Sequence, residues 1–111
     1  MPNYYRLFYV STRTYDLNEE VVDKIAQDAS VRNAENDIVG ALCYNGINFG
    51  QVLEGEKTAV LDLVERIKAD TRHTGMIIVS EKTVEQRHFQ DWSMKRIKGM
   101  EFDELIAAMN T

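Results

Sequence analysis

Short apolar runs and amphipathic stretches follow one another along the chain, and their order predicts strands and helices. Residues 5–11 mix aromatic and β-branched types, which is typical of a strand. Apolar side chains then recur at helical spacing from Val21 to Ala29, behind a pair, Asp16 and Glu19, that resembles a capping box. The first part of the chain therefore predicts a strand followed by a helix with one apolar face.

The middle of the chain predicts a hairpin and a second helix. Residues 38–44 and 47–53 are apolar runs joined at Asn45-Gly46, a dipeptide suited to the positive φ angles of a tight turn. A helical i, i+3, i+4, i+7 pattern follows Gly55 and continues toward residue 71. Its apolar members are Val60, Leu63, Val64 and Ile67.

Two further strands, at residues 76–80 and 89–97, and a short closing helix at 102–109 complete the predicted order β-α-β-β-α-β-β. This order predicts an α+β, ferredoxin-like sandwich with one mixed sheet, both helices on one face, and the other face partly open. No repeat or linker is visible. We therefore expect one domain at residues 1–97 and a short C-terminal extension at 98–111.

Charge and composition exclude several classes of function. The net charge is −5 and the basic residues are dispersed, so the protein should repel phosphate backbones and anionic lipid surfaces. No apolar run is long enough to span a bilayer, and the N-terminus lacks the blocks of a signal peptide. We expect a cytoplasmic protein that binds neither nucleic acid nor a membrane.

The usual catalytic motifs are absent from the sequence. It has no Gly-rich phosphate loop, no nucleophile elbow and no histidine pair at metal-ligand spacing. Cys43 is the only cysteine, so one chain can form neither a disulfide nor a cysteine-based zinc site. We therefore expect a protein that is not an enzyme and that holds no metal.

Several polar and aromatic residues stand where apolar ones would serve a core better. Gln51 lies within an apolar strand, and a buried amide requires polar partners. Asn33 closes the first helix, where a left-handed C-terminal cap is an equally good interpretation. Tyr9 is also consistent with an ordinary core aromatic, and Trp92 and Met94, at i and i+2, with a core stripe on one strand face.

In combination these positions resemble the BLUF family, sensors of blue light using flavin adenine dinucleotide, over about residues 6–97. Each motif is weak alone, but all five occur in the family's order and spacing. The motifs are Tyr9-Val10-Ser11, Asn33-Ala34 ahead of Ile38-Val39-Gly40, Gln51-Val52-Leu53-Glu54-Gly55, Asp70-Thr71-Arg72-His73, and Trp92-Ser93-Met94.

The resemblance implies a flavin bound non-covalently between the two helices, as FAD, with FMN or riboflavin as alternatives. Tyr9 and Gln51 would lie at the flavin edge, and Asn33 would bond the ring. The faces of the ring would contact Ile25 and Ile67. Arg72 and His73 would be near the ribityl and phosphate end, and Asp70 would be close to the ribityl hydroxyls. Arg32, beside Asn33, would also approach the cofactor.

The mechanism implied by the resemblance is a light-driven rearrangement of hydrogen bonds. Excited flavin takes an electron from Tyr9 while the proton moves through Gln51, and recombination leaves the Gln51 amide rotated or tautomerised and the absorption shifted to the red. Trp92 or Met94 would pass this change on. The output would be an unidentified downstream protein partner or a change in a homo-oligomer, expected to be a dimer.

Two positions depart from the family pattern. Val39 stands where many relatives have a small hydroxyl residue, and Gly50 stands where a bulky residue is common.

Two rival interpretations of the function remain. One rival is an acylphosphatase-like hydrolase, but its anion cradle needs glycine and the loop at residues 11–16 has none. The other rival is a cofactor-free dimerisation module, in which the polar residues are structural.

Overall fold

The computed structural model describes residues 3–14, 18–87 and 95–97, the last of these by their backbone alone. The elements follow as β1 (Tyr4–Arg13), α1 (Glu19–Glu35), β2 (Val39–Tyr44), β3 (Asn48–Gly55), α2 (Lys57–Lys68), β4 (His73–Val84) and β5 (Lys95–Ile97). One sheet contains the strands in the order β4-β1-β3-β2-β5, antiparallel except for the parallel pair β2–β5. The predicted ferredoxin-like α+β fold with a mixed sheet is confirmed.

The hairpin between β2 and β3 forms at the predicted dipeptide, but with one positive φ angle rather than two. Gly46 has a φ of 99°. The Asn45 side chain stabilises the turn, because its Oδ1 accepts hydrogen bonds from the backbone N–H groups of Ile47 and Asn48 at 3.0 and 2.8 Å. The register of β2 against β3 places Leu42 opposite Gln51.

Both ends of α1 differ from the prediction. The N-cap is Asn18, whose side chain accepts a hydrogen bond from the Val21 N–H, so the capping box proposed for Asp16 is wrong. The C-cap is Asn36, and Asp37, with a φ of 54°, adopts the left-handed conformation. Asn33 lies inside the last turn of α1, so its interpretation as a left-handed cap is wrong too.

The hydrophobic core lies between the sheet and the two helices. Helix α1 buries Val22, Ala26 and Ala29, and α2 buries a stripe at the predicted spacing, namely Val60, Leu63 and Val64. On the sheet, the inward face contributes apolar side chains from three strands to the same cluster. They include Leu7, Leu42, Tyr44, Phe49 and Leu53.

The helix-free face of the sheet is buried along its middle strands. Phe8, Ala41 and Val52 are almost inaccessible, and Arg6 on this face forms a 2.6 Å ion pair with Glu54 of the neighbouring strand. Exposed apolar side chains on β4 include Ile77, which is 63% exposed. The expectation of a partly open face therefore holds for β4 and is wrong for β1, β2 and β3.

Strand β4 spans His73–Val84, so it is longer at both ends than the predicted strand at residues 76–80. Residues 89–94 of the predicted last strand and the predicted helix at 102–109 lie outside the described residues, as does the extension at 98–111. None of the described helices is both long and apolar enough to cross a membrane.

Candidate functional site

A cavity of about 620 Å³, including space open to solvent, lies between α1, α2 and the inward face of the sheet. The floor comes from the sheet, the walls come from the helices, and one end comes from the segment after α2. The lining residues are Tyr9, Ile25, Asp28, Ala29, Arg32, Leu42, Phe49, Gln51, Arg66, Ile67, Asp70, Arg72 and His73.

Tyr9 and Gln51 form a hydrogen-bonded pair on the cavity floor. They are direct cross-strand partners in the β1–β3 register, which places both side chains on the same face. The Tyr9 hydroxyl donates to Oε1 of Gln51. Because the two side chains are only 3% and 5% exposed, water competes little for this bond.

The protonation state of Tyr9 follows from its surroundings. Burial raises the pKa of the Tyr9 phenol well above its usual value, the positive charge of Arg32 lowers it, and the negative charge of Asp70 raises it. The phenol therefore keeps its proton at neutral pH. Gln51 Oε1 can only accept, so the hydrogen in the pair belongs to Tyr9.

The two helices present apolar and cationic side chains to the cavity. On α1, Ile25, Ala29 and Arg32 are spaced i, i+4, i+7, so one stripe of the helix lines the wall. On α2 the neighbours Arg66 and Ile67 line the opposite wall. The Nε atom of Arg32 is buried and has no hydrogen-bond partner in the described part of the chain.

Asp70 and Arg72, at the cavity's end, are hydrogen-bonded to each other. Arg72 Nε donates to both carboxylate oxygens of Asp70, at 2.9 and 3.1 Å, and Arg72 Nη2 also donates to Oδ2. The hydrogen bond from Arg72 is the main cause that lowers the pKa of Asp70, and partial burial opposes it. Asp70 therefore stays ionised and compensates the charge of Arg72.

His73 is held by hydrogen bonds at both ring nitrogens. Nε2 lies 2.6 Å from the Ile67 carbonyl oxygen, which can only accept, and Nδ1 lies 2.8 Å from Ser11 Oγ. The neutral ring with the proton on Nε2 satisfies both contacts when Ser11 donates to Nδ1. The ring centroid is 6.4 Å from that of Tyr9, so His73 packs beside the Tyr9–Gln51 pair.

The structure brings eight of the predicted site residues around one cavity. These are Tyr9, Ile25, Arg32, Gln51, Ile67, Asp70, Arg72 and His73. Asn33 does not line it: this side chain is fully buried in the last turn of α1, next to Arg32. The two photochemical candidates Trp92 and Met94 lie outside the described residues.

Sequence reasoning missed several lining residues for which a signal existed. Phe49 is two positions before Gln51 on the same strand face, and Leu42 is the cross-strand partner of Gln51. Asp28 and Ala29 continue the stripe that contains Ile25 and Arg32. Arg66 gave no such signal, because a basic residue in the last turn of a helix is common without any ligand.

Comparison with known proteins connects this geometry to a family. The family model described as "Sensors of blue-light using FAD", BLUF, matches residues 4–95. Subunit beta of the photoactivated adenylate cyclase of Euglena gracilis is 34% identical over 95 residues, which cover 84% of this chain and 11% of that protein. The chain thus spans about a tenth of the length of this relative.

Two solved structures have the same fold with appreciable identity. BlrB, described as a BLUF protein in its dark state, has a TM-score of 0.78 and 34% identity, over 87% of this chain and 74% of its own. A bacterial light-regulated adenylyl cyclase has a TM-score of 0.83 and 29% identity, over 96% of this chain and 32% of its own. These matches favour the photoreceptor over both the hydrolase and the cofactor-free module. The chain belongs to the BLUF family of flavin-using blue-light sensors.

Proposed function

We propose that this domain binds FAD in the cavity between its helices and reports blue light by changing the hydrogen bonds of Gln51. The observation that carries the proposal is the buried hydrogen bond from Tyr9 to Gln51 on the cavity floor. It joins an oxidisable phenol to a side chain that can both accept and donate. Such a pair can store a change in its hydrogen-bond arrangement.

The cavity suits a flavin in both shape and polarity. Ile25 and Ile67 come from opposite helices and would contact the two faces of a flat ring. The buried Nε of Arg32 requires an acceptor, which a polar cofactor would provide. Asp70 and His73, at the cavity's end, would contact the ribityl chain. We propose that the last turn of α1 moves when the flavin binds, so that the Asn33 side chain contacts the ring.

When bound, a flavin supplies absorption of blue light and, once excited, a strong acceptor for an electron. Tyr9 would release the electron and pass its phenolic proton along the existing hydrogen bond to Gln51 Oε1. The proton and the electron then return to Tyr9, so no net oxidation occurs. Gln51 is left rotated or tautomerised, and these two forms differ in which atom carries hydrogen.

The neighbouring strands β3, β2 and β5 provide a route for the change. Gln51 is opposite Leu42 of β2, and β2 pairs with β5 at Leu42 and Arg96. A changed Gln51 amide would therefore act on the strand that adjoins residues 88–94, which include the proposed relays Trp92 and Met94. The domain at residues 1–97 would sense light, and the extension at 98–111 would carry the change onward.

The output is proposed to require another protein or a change of oligomeric state. Relatives are named as subunits of photoactivated adenylate cyclase and as a blue light- and temperature-regulated antirepressor of Escherichia coli. By analogy the domain would regulate an effector and would not itself catalyse a reaction. A homodimer, located in the cytoplasm, is the proposed assembly.

Infrared difference spectroscopy tests the proposed role of Gln51. The FAD-loaded protein is irradiated with blue light, and the light-minus-dark spectrum is recorded for unlabelled protein and for protein labelled with ¹³C at the glutamine side-chain carbonyl. A carbonyl band that moves with the label and disappears in Gln51→Leu is the expected result. Gln86→Leu, at an exposed glutamine near the end of β4, is the matched control and should keep the band. A labelled band that persists in Gln51→Leu would contradict the proposal.

A further inference from the structure

Helix α1 ends in a Schellman motif whose left-handed residue is an aspartate. The Ile38 N–H donates to the Asn33 carbonyl at 2.9 Å, and the Asp37 N–H donates to the Ala34 carbonyl at 3.4 Å, which are the two closing bonds of that motif. Asp37 has a φ of 54°, where glycine is the usual residue because it has no Cβ atom. A residue other than glycine keeps this conformation only when its surroundings hold it there.

Arg87 contacts this aspartate from beyond the end of β4. Its Nη1 donates to both the backbone carbonyl oxygen and Oδ1 of Asp37, each at 3.0 Å. The bond to the carbonyl fixes the orientation of the peptide that follows Asp37, and the bond to the carboxylate adds an opposite charge. One guanidinium nitrogen thus holds both the main chain and the side chain of the left-handed residue.

The guanidinium group of Arg87 is itself held by an aromatic ring. Its central carbon lies 4.8 Å from the centroid of the Tyr4 ring, a cation–π arrangement. Tyr4 begins β1 and pairs with Val84 of β4, so Arg87 extends from β4 across β1 to the loop after α1. The side chain of Arg87 is 16% exposed and that of Asp37 is 84% exposed. Because the carboxylate is solvated, we expect the bond to the main-chain carbonyl to contribute more than the ion pair.

The position of Asp37 determines where the last turn of α1 lies. The Asn33 carbonyl accepts hydrogen bonds from the N–H groups of Asn36 and Ile38, one on each side of Asp37, at 3.1 and 2.9 Å. The loop also packs closely on β3, since a Cβ atom at Gly55 would lie 3.2 Å from the Asp37 carbonyl oxygen. A last turn that moves when the flavin binds would therefore move about Asp37 as its fixed point.

The geometry points to Arg87 as a positioning residue of the flavin site. By holding Asp37 it fixes the end of α1, and with it the place from which the Asn33 side chain contacts the ring. Arg87 does not line the main cavity, so it acts through α1 and not by touching the ligand. This inference rests on the proposed function, because it requires the proposed contact of Asn33 with the flavin.

Amide hydrogen exchange of the purified chain in the dark tests the first step. In Arg87→Gln the Ile38 amide should exchange at least about tenfold faster than in the unaltered protein, because the loop loses charge-assisted hydrogen bonds. Arg13→Gln is the matched control, since the Arg13 Nε donates to the Gly46 carbonyl at 2.6 Å and so holds a different loop. The control should leave Ile38 unchanged. Equal exchange of Ile38 in Arg87→Gln and in the unaltered protein would overturn the inference.

A double-mutant cycle on the release of FAD tests the second step. Release is followed by the rise in flavin fluorescence after dilution of the FAD-loaded protein. Arg87→Gln should speed release by about fivefold, which is within the range of coupling between residues of one network. Added to Asn33→Ala, the same change should have no further effect, because no amide remains to be positioned. An equal effect in both backgrounds would assign Arg87 a structural role only and overturn the inference.

A rescue variant separates positioning from general packing. Glycine adopts the left-handed conformation without a steric penalty, so Asp37→Gly depends less on Arg87. In this background Arg87→Gln should lose most of its effect on Ile38 exchange and on FAD release. An undiminished effect would contradict the positioning role.

The outcomes separate this inference from the proposed function. A chain that binds no FAD would overturn the proposed function, while the exchange of Ile38 would still report whether Arg87 holds the loop. A normal light response, with FAD release equal in Arg87→Gln and in the unaltered protein, would overturn the inference alone.

Discussion

The hydroxyl of Tyr9 donates a hydrogen bond to Oε1 of Gln51, its direct partner across the β1–β3 pair. The register of the sheet fixes this contact, since opposite residues in an antiparallel pair project to the same face. The donor and acceptor are buried together on the floor of a cavity. The pair is therefore already arranged for proton transfer before light arrives.

Replacing Tyr9 by phenylalanine should abolish the light-induced red shift and preserve flavin binding. Tyr9→Phe keeps the aromatic ring and removes the oxidisable hydroxyl that bonds Gln51. The light-minus-dark absorption spectrum of the FAD-loaded variant checks this. Tyr44→Phe is a good control, because Tyr44 is also a buried tyrosine of the core but its hydroxyl has no hydrogen-bond partner in the described part of the chain. An unchanged shift in Tyr9→Phe would refute the role of the phenol.

The variant Gln51→Leu should also keep the flavin and lose the red shift. Leucine fills a similar volume but can neither take the proton of Tyr9 nor form a new hydrogen bond. The Tyr9 hydroxyl would lose its buried acceptor, which costs about 1–3 kcal/mol of the free energy of unfolding. Urea unfolding measures that cost, and the absorption spectrum measures the shift. A Gln51→Leu protein that still shifts to the red would exclude Gln51 as the switching side chain.

The contribution of the Asp70–Arg72 pair to stability should depend on pH. The pKa of Asp70 is lowered in the folded protein, chiefly by the hydrogen bond from Arg72, so the carboxylate stabilises the fold above the unfolded pKa of about 3.9. This contribution is lost as pH falls through the lower pKa of the folded state. Urea unfolding of the protein and of Asp70→Asn should therefore differ at pH 7, and the difference should shrink as the pH falls below about 3.9. A difference that stays constant over this range would show that the charge of Asp70 contributes nothing.

Gly40 should not tolerate a side chain. A Cβ atom at this position would lie 2.0 Å from the backbone carbonyl oxygen of Val52, and the adjoining backbone cannot move without disturbing β3, which carries Gln51. We expect Gly40→Ala to lower the free energy of unfolding by at least about 2 kcal/mol. Gly55→Ala is a milder comparison, since its nearest neighbour would be a side-chain atom of Ile38 at 3.1 Å. Equal stability of the two variants in urea would contradict this account.

The spacing of apolar residues in the sequence was sufficient to predict the fold, because in helices and strands this spacing reflects which side chains are buried. The stripe Val60, Leu63 and Val64 and the Asn45-Gly46 turn are found where the pattern places them. Helix ends were harder, since Asn18 and Asp16 are equally suitable caps by residue type. Burial of Phe8 and Val52 on the helix-free face could not be predicted from alternation, because apolar residues occur on both faces of these strands.

The candidate site was predictable in its residue types and less so in its contacts. Tyr9 and Gln51 stood out because polar groups in an apolar strand require partners, and the family resemblance named the pair. The engagement of Arg72 by Asp70 depends on a local turn, in which the Arg72 N–H donates to Asp70 Oδ1 at 2.9 Å. The closeness of Arg66 to the cavity depends on how two helices pack, and no local pattern encodes that distance.

An absorption spectrum of the purified protein, loaded with FAD and recorded in the dark and after blue light, tests the central claim most directly. We predict a flavin band that moves slightly to the red on illumination and returns to its original position in darkness. A protein that remains colourless after incubation with FAD, or a bound flavin whose spectrum is the same before and after illumination, would contradict the account.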